Sequence, residues 1–103
     1  MIVVTNKLYV QDAQSEDFES LIAERMEFIR DSDCLSFSFE RPSDIEMGPS
    51  DHYVLRSVWR NMAHLRTWMA GESFKRAHKR FENRETLYAR DNEILFHEII
   101  ETS

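Results

Sequence analysis

Trp68-Met-Ala-Gly-Glu-Ser-Phe-Lys-Arg-Ala-His-Lys-Arg-Phe81 is the stretch on which the fold of this 103-residue chain turns. Gly71 punctuates it, so one helix is expected to end near Ala70 and a second to run from Glu72 to about Phe81. On the second helix Phe74, Ala77, His78 and Phe81 recur at i, i+3, i+4 and i+7, which is one face. That face is apolar except for the His78 imidazole, and Lys75, Arg76, Lys79 and Arg80 surround it with positive charge. Taken alone, a histidine on such a stripe is more often a satisfied core residue than a ligand. The same imidazole, ringed by bases and preceded by Trp68, also suits an iron or haem site.

Outward from this broken helix the chain alternates strands and helices. In residues 2–10, Ile2, Val4, Asn6, Leu8 and Val10 share one face and Val3, Thr5, Lys7 and Tyr9 the other, a period of two that predicts a strand. Asn6 is an amide in the middle of the more apolar face. Buried without partners it would cost about 1–3 kcal/mol, so it must either bond to nearby backbone or point a polar group into a pocket. Ser15 is expected to cap a helix that runs to about Arg30 on Phe18, Leu21, Ile22, Arg25, Met26 and Ile29. Arg25 lies within that stripe; such a residue usually lies at the edge with its head in water, and less often reaches an anionic ligand.

Leu35, Phe37 and Phe39 predict a second strand with one aromatic face, closed by Pro42. A loop from Pro42 to Ser50 leads to a third strand, Tyr53 to Arg60, antiparallel to the second. Asn61 is a natural cap for the helix Met62 to Ala70, on which Leu65 and Met69 form the apolar stripe. Asn83 to Arg90 reads as irregular, and Asn92 to Glu101 as a last strand apolar on both faces. The order is β-α-β-β-α-β: an α+β, ferredoxin-like domain over residues 1–103 with a broken second helix. The sheet face away from the helices needs cover, and a second copy of the chain is the economical source.

Composition narrows the function. The chain carries 13 Lys+Arg against 19 Asp+Glu, net −6, which argues against a nucleic-acid partner. One cysteine, Cys34, leaves no internal disulfide or cysteine-rich zinc site and suits a reducing compartment. Residues 1–8 lack the long apolar run of a signal peptide, and no stretch has the length of a membrane helix, so a cytoplasmic protein with no membrane partner is expected. With two glycines there is no phosphate-cradling loop, and His52, His64, His78 and His97 lack zinc-hydrolase spacing. What remains is Asn6, Trp68 and His78, which this topology can bring together between sheet and helices.

Val4-Thr-Asn-Lys-Leu8, Tyr53-Val-Leu-Arg-Ser-Val-Trp-Arg60 and Trp68-x5-Phe-Lys-x-Ala-His-Lys79 resemble the antibiotic-biosynthesis-monooxygenase superfamily. The set of Asn6, Trp68 and His78 is most similar to its haem-degrading branch, the Isd-type haem monooxygenases. The resemblance implies a homodimer of ferredoxin-like subunits forming a shared α+β barrel, one haem per subunit. It makes His78 the axial iron ligand, Asn6 the distal amide and Trp68 the indole that pushes the porphyrin out of plane. Arg25 occupies a position where relatives commonly carry arginine. Haem would be substrate and cofactor, opened by O2 with electrons from an external reductase, releasing iron.

Two departures stand out. Cys34-Leu35 replaces a common Gly-Phe entering the second strand, and the loop from Pro42 to Ser50 is longer than usual. Three alternatives stay open: a haem-free monooxygenase of the same superfamily acting on a quinol or phenol, a haem-binding module without turnover, and a purely structural interaction through the barrel that leaves Asn6 and His78 as satisfied core polar residues.

Overall fold

The computed structural model describes residues 1–30, 32–72, 74, 75 and 88–102. Among them, β1 (Ile2–Leu8), α1 (Ser15–Ile29), β2 (Ser36–Glu40), β3 (Tyr53–Trp59), α2 (Met62–Met69) and β4 (Glu93–Glu98) follow in order. The strands form one antiparallel sheet in the order β2-β3-β1-β4. This is the ferredoxin-like α+β arrangement expected from the pattern of residues.

Register explains which side chains meet the helices. Asn6 pairs with Leu55 on one side and Ile94 on the other, and Val4 with Ser57 and Phe96. Phe37 and Phe39 lie opposite Ser57 and Leu55. Because side chains alternate across a strand, these residues share one face, and α1 and α2 cover it.

At one end of that face the core is solid. Phe18 and Ile22 of α1 are fully buried against Leu8, Tyr53 and Leu55. The Phe18 ring lies 5.0 Å from Tyr53, 5.8 Å from Phe39 and 6.1 Å from Tyr88, while Phe39 and Tyr53 stack at 5.3 Å. Each fully buried side chain of this kind contributes about 1.5–3 kcal/mol. At the other end, around Trp59 and Leu65, packing is looser and a cavity remains.

Several boundaries differ from expectation. β1 stops at Leu8, and Val10 instead makes an isolated bridge to Tyr88. Tyr9, expected on the uncovered face, is buried by its own chain: the Arg90 guanidinium lies 3.6 Å over its ring and His52 packs at 5.4 Å. Ser15 is the first helical residue rather than the cap, because a 3-10 turn at Asp12–Gln14 leads directly into α1. β2 begins at Ser36, leaving Leu35 exposed, and β4 is confined to Glu93–Glu98, every residue of it exposed.

Asn61 caps α2 as expected: its side chain accepts a hydrogen bond from the His64 N–H at 3.1 Å. The helix ends at Met69, and Glu72, Phe74 and Lys75 are helical again. Gly71 has no left-handed backbone. Its role is close approach, since a Cβ there would sit 3.3 Å from the Trp68 carbonyl oxygen. Among the described residues no helix is long and apolar enough to cross a membrane.

Candidate functional site

The cavity lies between the helix-facing side of the sheet and the two helices. Its floor is Val4, Asn6, Phe37, Leu55, Ser57 and Trp59, with Ile94 and Phe96 at the β4 edge. Arg25 and Ile29 of α1, Leu65, Trp68 and Met69 of α2, and Phe74 beyond Gly71 complete the wall. Its volume is about 160 Å³. The structure brings Asn6, Arg25 and Trp68 to one cavity, whereas the convergence expected from the topology was of Asn6 and Trp68 with His78. His78 lies outside the described residues. Among the described residues no group of three or more His, Cys, Asp or Glu side chains is placed to hold a metal.

Asn6 sits mid-strand on β1, between β3 and β4. Its side-chain oxygen is fully buried and finds no hydrogen-bond partner among the described residues. Native proteins rarely leave such a group unpaired, and when they do the vacancy calls for an explanation. The bland alternative, a bond to neighbouring backbone, is not what this oxygen makes.

Arg25 is half-buried in the cavity wall. Removal from water pulls its guanidinium below the ordinary range, an effect partly offset by Tyr88. Arginine stays charged nonetheless, so the wall holds a cation in a largely apolar setting. Such a group favours a carboxylate, which it can bind with two parallel hydrogen bonds.

Trp68 is half-buried on α2. Its ring lies 6.5 Å from that of Trp59 at an interplanar angle of 27°, and meets Phe74 edge-on at 5.9 Å. Trp59 is itself 1% exposed, and its indole N–H donates to the Ser57 hydroxyl at 2.9 Å. The aromatic surface of the cavity thus runs from a central strand, through α2, to the residues after Gly71. Its chemistry suits a flat aromatic ligand with an anionic edge and one group that hydrogen-bonds to Asn6.

Trp59, Ser57, Phe96 and Ile94 were not singled out from the sequence as site residues. Strand alternation put them on their faces, and the missing information was the register that sets Ser57 and Phe96 beside Val4, next to Asn6.

The fold is shared with solved structures. One is an arginine-to-serine variant of MhuD with two manganese protoporphyrin IX bound per active site: 17% identity, TM-score 0.79, covering 100% of this chain and 98% of that one. Rv0793 from Mycobacterium tuberculosis aligns with TM-score 0.79 at 14% identity, covering 99% of this chain and 97% of its own. A variant of SnoaB, a cofactor-independent oxygenase from Streptomyces nogalater, aligns with TM-score 0.74 at 20% identity, covering 98% and 94%. No curated protein sequence matches the chain. Residues 1–80 match the antibiotic biosynthesis monooxygenase family, and the chain belongs to that family.

Proposed function

We propose that this chain is a haem-degrading monooxygenase, binding haem as substrate and cofactor in the cavity bounded by Asn6, Arg25 and Trp68. The observation that carries this reading is the Asn6 amide, whose buried oxygen has no hydrogen-bond partner among the described residues, in the wall it shares with an indole and a half-buried cation. These residues fit the group: aromatic faces for the porphyrin, a guanidinium for a carboxylate and an amide with hydrogen-bonding capacity to spare. When bound, haem supplies the iron at which O2 is activated with electrons from an external reductase, and the porphyrin that is opened to release that iron.

The chain's own residues have separate tasks. His78 would hold the iron through its imidazole. The Asn6 amide would hydrogen-bond a polar group of the bound ligand or of oxygen. The Trp68 indole would pack against the porphyrin and, with Trp59 and Phe74, exclude water from it. Arg25 pairs with a carboxylate. A second copy of the chain covers the outer sheet face, where Val3, Val54 and Val58 are half-buried and Leu95 is 39% exposed.

A haem-free oxidation of a quinol or phenol is the second reading, and the cavity volume favours it. About 160 Å³ is below the roughly 300–1,000 Å³ of typical ligand pockets, and one structural relative is a cofactor-independent oxygenase.

Titration of the purified protein with haemin, followed at the Soret band and then by ascorbate in air, tests both. Stoichiometric binding lost in His78→Ala, with conversion to a bilin-like absorbance lost in Asn6→Ala, is the expected result. Binding without conversion leaves a haem-binding module. No specific binding overturns the haem reading in favour of a quinol or phenol.

A further inference from the structure

We infer that Trp59 is the positioning residue for Trp68, and that Ser57 locks Trp59 in place for this purpose. The inference rests on Trp68 being a wall of the substrate cavity, as proposed above. Trp68 sits on an eight-residue helix whose buried residue is Leu65. A helix this short is marginal by itself and takes its position from packing. Trp59, in contrast, sits on β3, which is hydrogen-bonded to strands on both sides. It is the largest fully buried side chain of the fold.

The geometry makes Trp59 the rigid partner of the pair. Its N–H is tied to the Ser57 hydroxyl at 2.9 Å, two residues earlier on the same face. That bond satisfies the one polar atom of a buried indole and fixes its rotation in the plane of the cavity floor. The Trp68 ring lies over it at 6.5 Å and 27°, near the long end of favourable aromatic spacing, while Phe74 closes on Trp68 edge-on. Any tilt of Trp59 is passed to Trp68. A flat substrate resting against Trp68 then presents a different edge to oxygen, and a misplacement of about 1 Å is enough to cost up to about a hundredfold in rate.

The test uses Ser57→Ala, Ser57→Thr and Trp59→Phe in the full chain. Trp59 and Trp68 are the two tryptophans present, so an exciton couplet in far-ultraviolet circular dichroism reports their mutual angle without substrate. The couplet is expected to weaken in Ser57→Ala and to return in Ser57→Thr. With haemin and ascorbate, Ser57→Ala and Trp59→Phe should change the ratio of bilin isomers and lower kcat about tenfold or more, with KM within about twofold. Ser57→Thr should restore both. Should Trp59→Phe fail to fold, the serine pair decides. A Ser57→Ala protein with an unaltered couplet overturns the inference, as does an unchanged isomer ratio and kcat in a folded variant. If the wild type binds no haemin, the haem reading falls by itself, and the couplet comparison still decides whether Ser57 and Trp59 set the Trp68 ring.

Discussion

Asp33 Oδ2 and His64 Nδ1 lie 3.0 Å apart, tying the loop between α1 and β2 to the first turn of α2, one turn before Trp68. Both side chains are substantially exposed, so the pair contributes only about 0.2–1 kcal/mol. His64→Ala should cost that much in urea denaturation. Its backbone N–H still reaches the Asn61 side chain, so the cap survives. Asn61→Ala removes the cap and should cost about 1 kcal/mol in the same assay.

Asn6→Leu should separate stability from function. Unpaired among the described residues, the buried Asn6 oxygen costs the folded state about 1–3 kcal/mol, and leucine fills similar space with no polar atom. The variant is expected to melt several degrees higher than wild type and to lose turnover. A lower melting temperature would mean that the amide is satisfied in solution.

Phe18→Ala should be severe. Phe18 is fully buried and its ring contacts Phe39, Tyr53 and Tyr88, so truncation removes the centre of the solid core and costs about 3–5 kcal/mol by equilibrium unfolding.

Acid should weaken the fold through Glu19. Hydrogen bonds from Arg41 and Tyr53 hold its carboxyl below the ordinary value of 4.5. A carboxyl with a depressed folded-state pKa stabilises at pH values above its unfolded pKa, and that contribution is lost as pH falls through the folded value. Stability measured from pH 6 downward should fall once pH drops below about 4.5, and the Glu19→Gln protein should show a shallower decline.

Cys34 should be a sluggish nucleophile. Burial pushes its thiol up, outweighing hydrogen bonds to the Val58 and Ser36 carbonyls, and the thiolate is the reactive form. Iodoacetamide at neutral pH is expected to label it more slowly than free cysteine, with the difference erased in urea.

Much of the fold was legible in the residues. The alternation of Ile2 to Leu8 and of Tyr53 to Trp59 named the strands and their inner faces, and Asn61 marked the start of α2, because period and capping are local properties. Ends were harder: nothing local tells Leu8 to end the strand two residues before Val10, since that depends on Tyr88 arriving from far along the chain. Asn6 was legible as an anomaly, a polar residue on an apolar face. Ser57 and Trp59 were not, because a serine and a tryptophan on a strand are unremarkable until register and helix packing set them in the same cavity lining as the amide. The cavity is a product of tertiary packing, where α1 fills one end of the sheet and leaves the other to a short helix.

The exposed strand β4 has a consequence for how copies of the chain meet. Among the described residues it has a sheet neighbour on one side only, β1, and Ile94 and Phe96 are more than half exposed. Such a rim invites another strand to add on. The sequence Glu93-Ile-Leu-Phe-His-Glu98 answers with a carboxylate at each end. Two copies zipped antiparallel and in register would set Glu93 against Glu98 at both ends, like charge facing like charge. The rim is greasy enough to want cover and charged so as to refuse its own mirror, which steers self-association away from an open-ended ribbon of sheets.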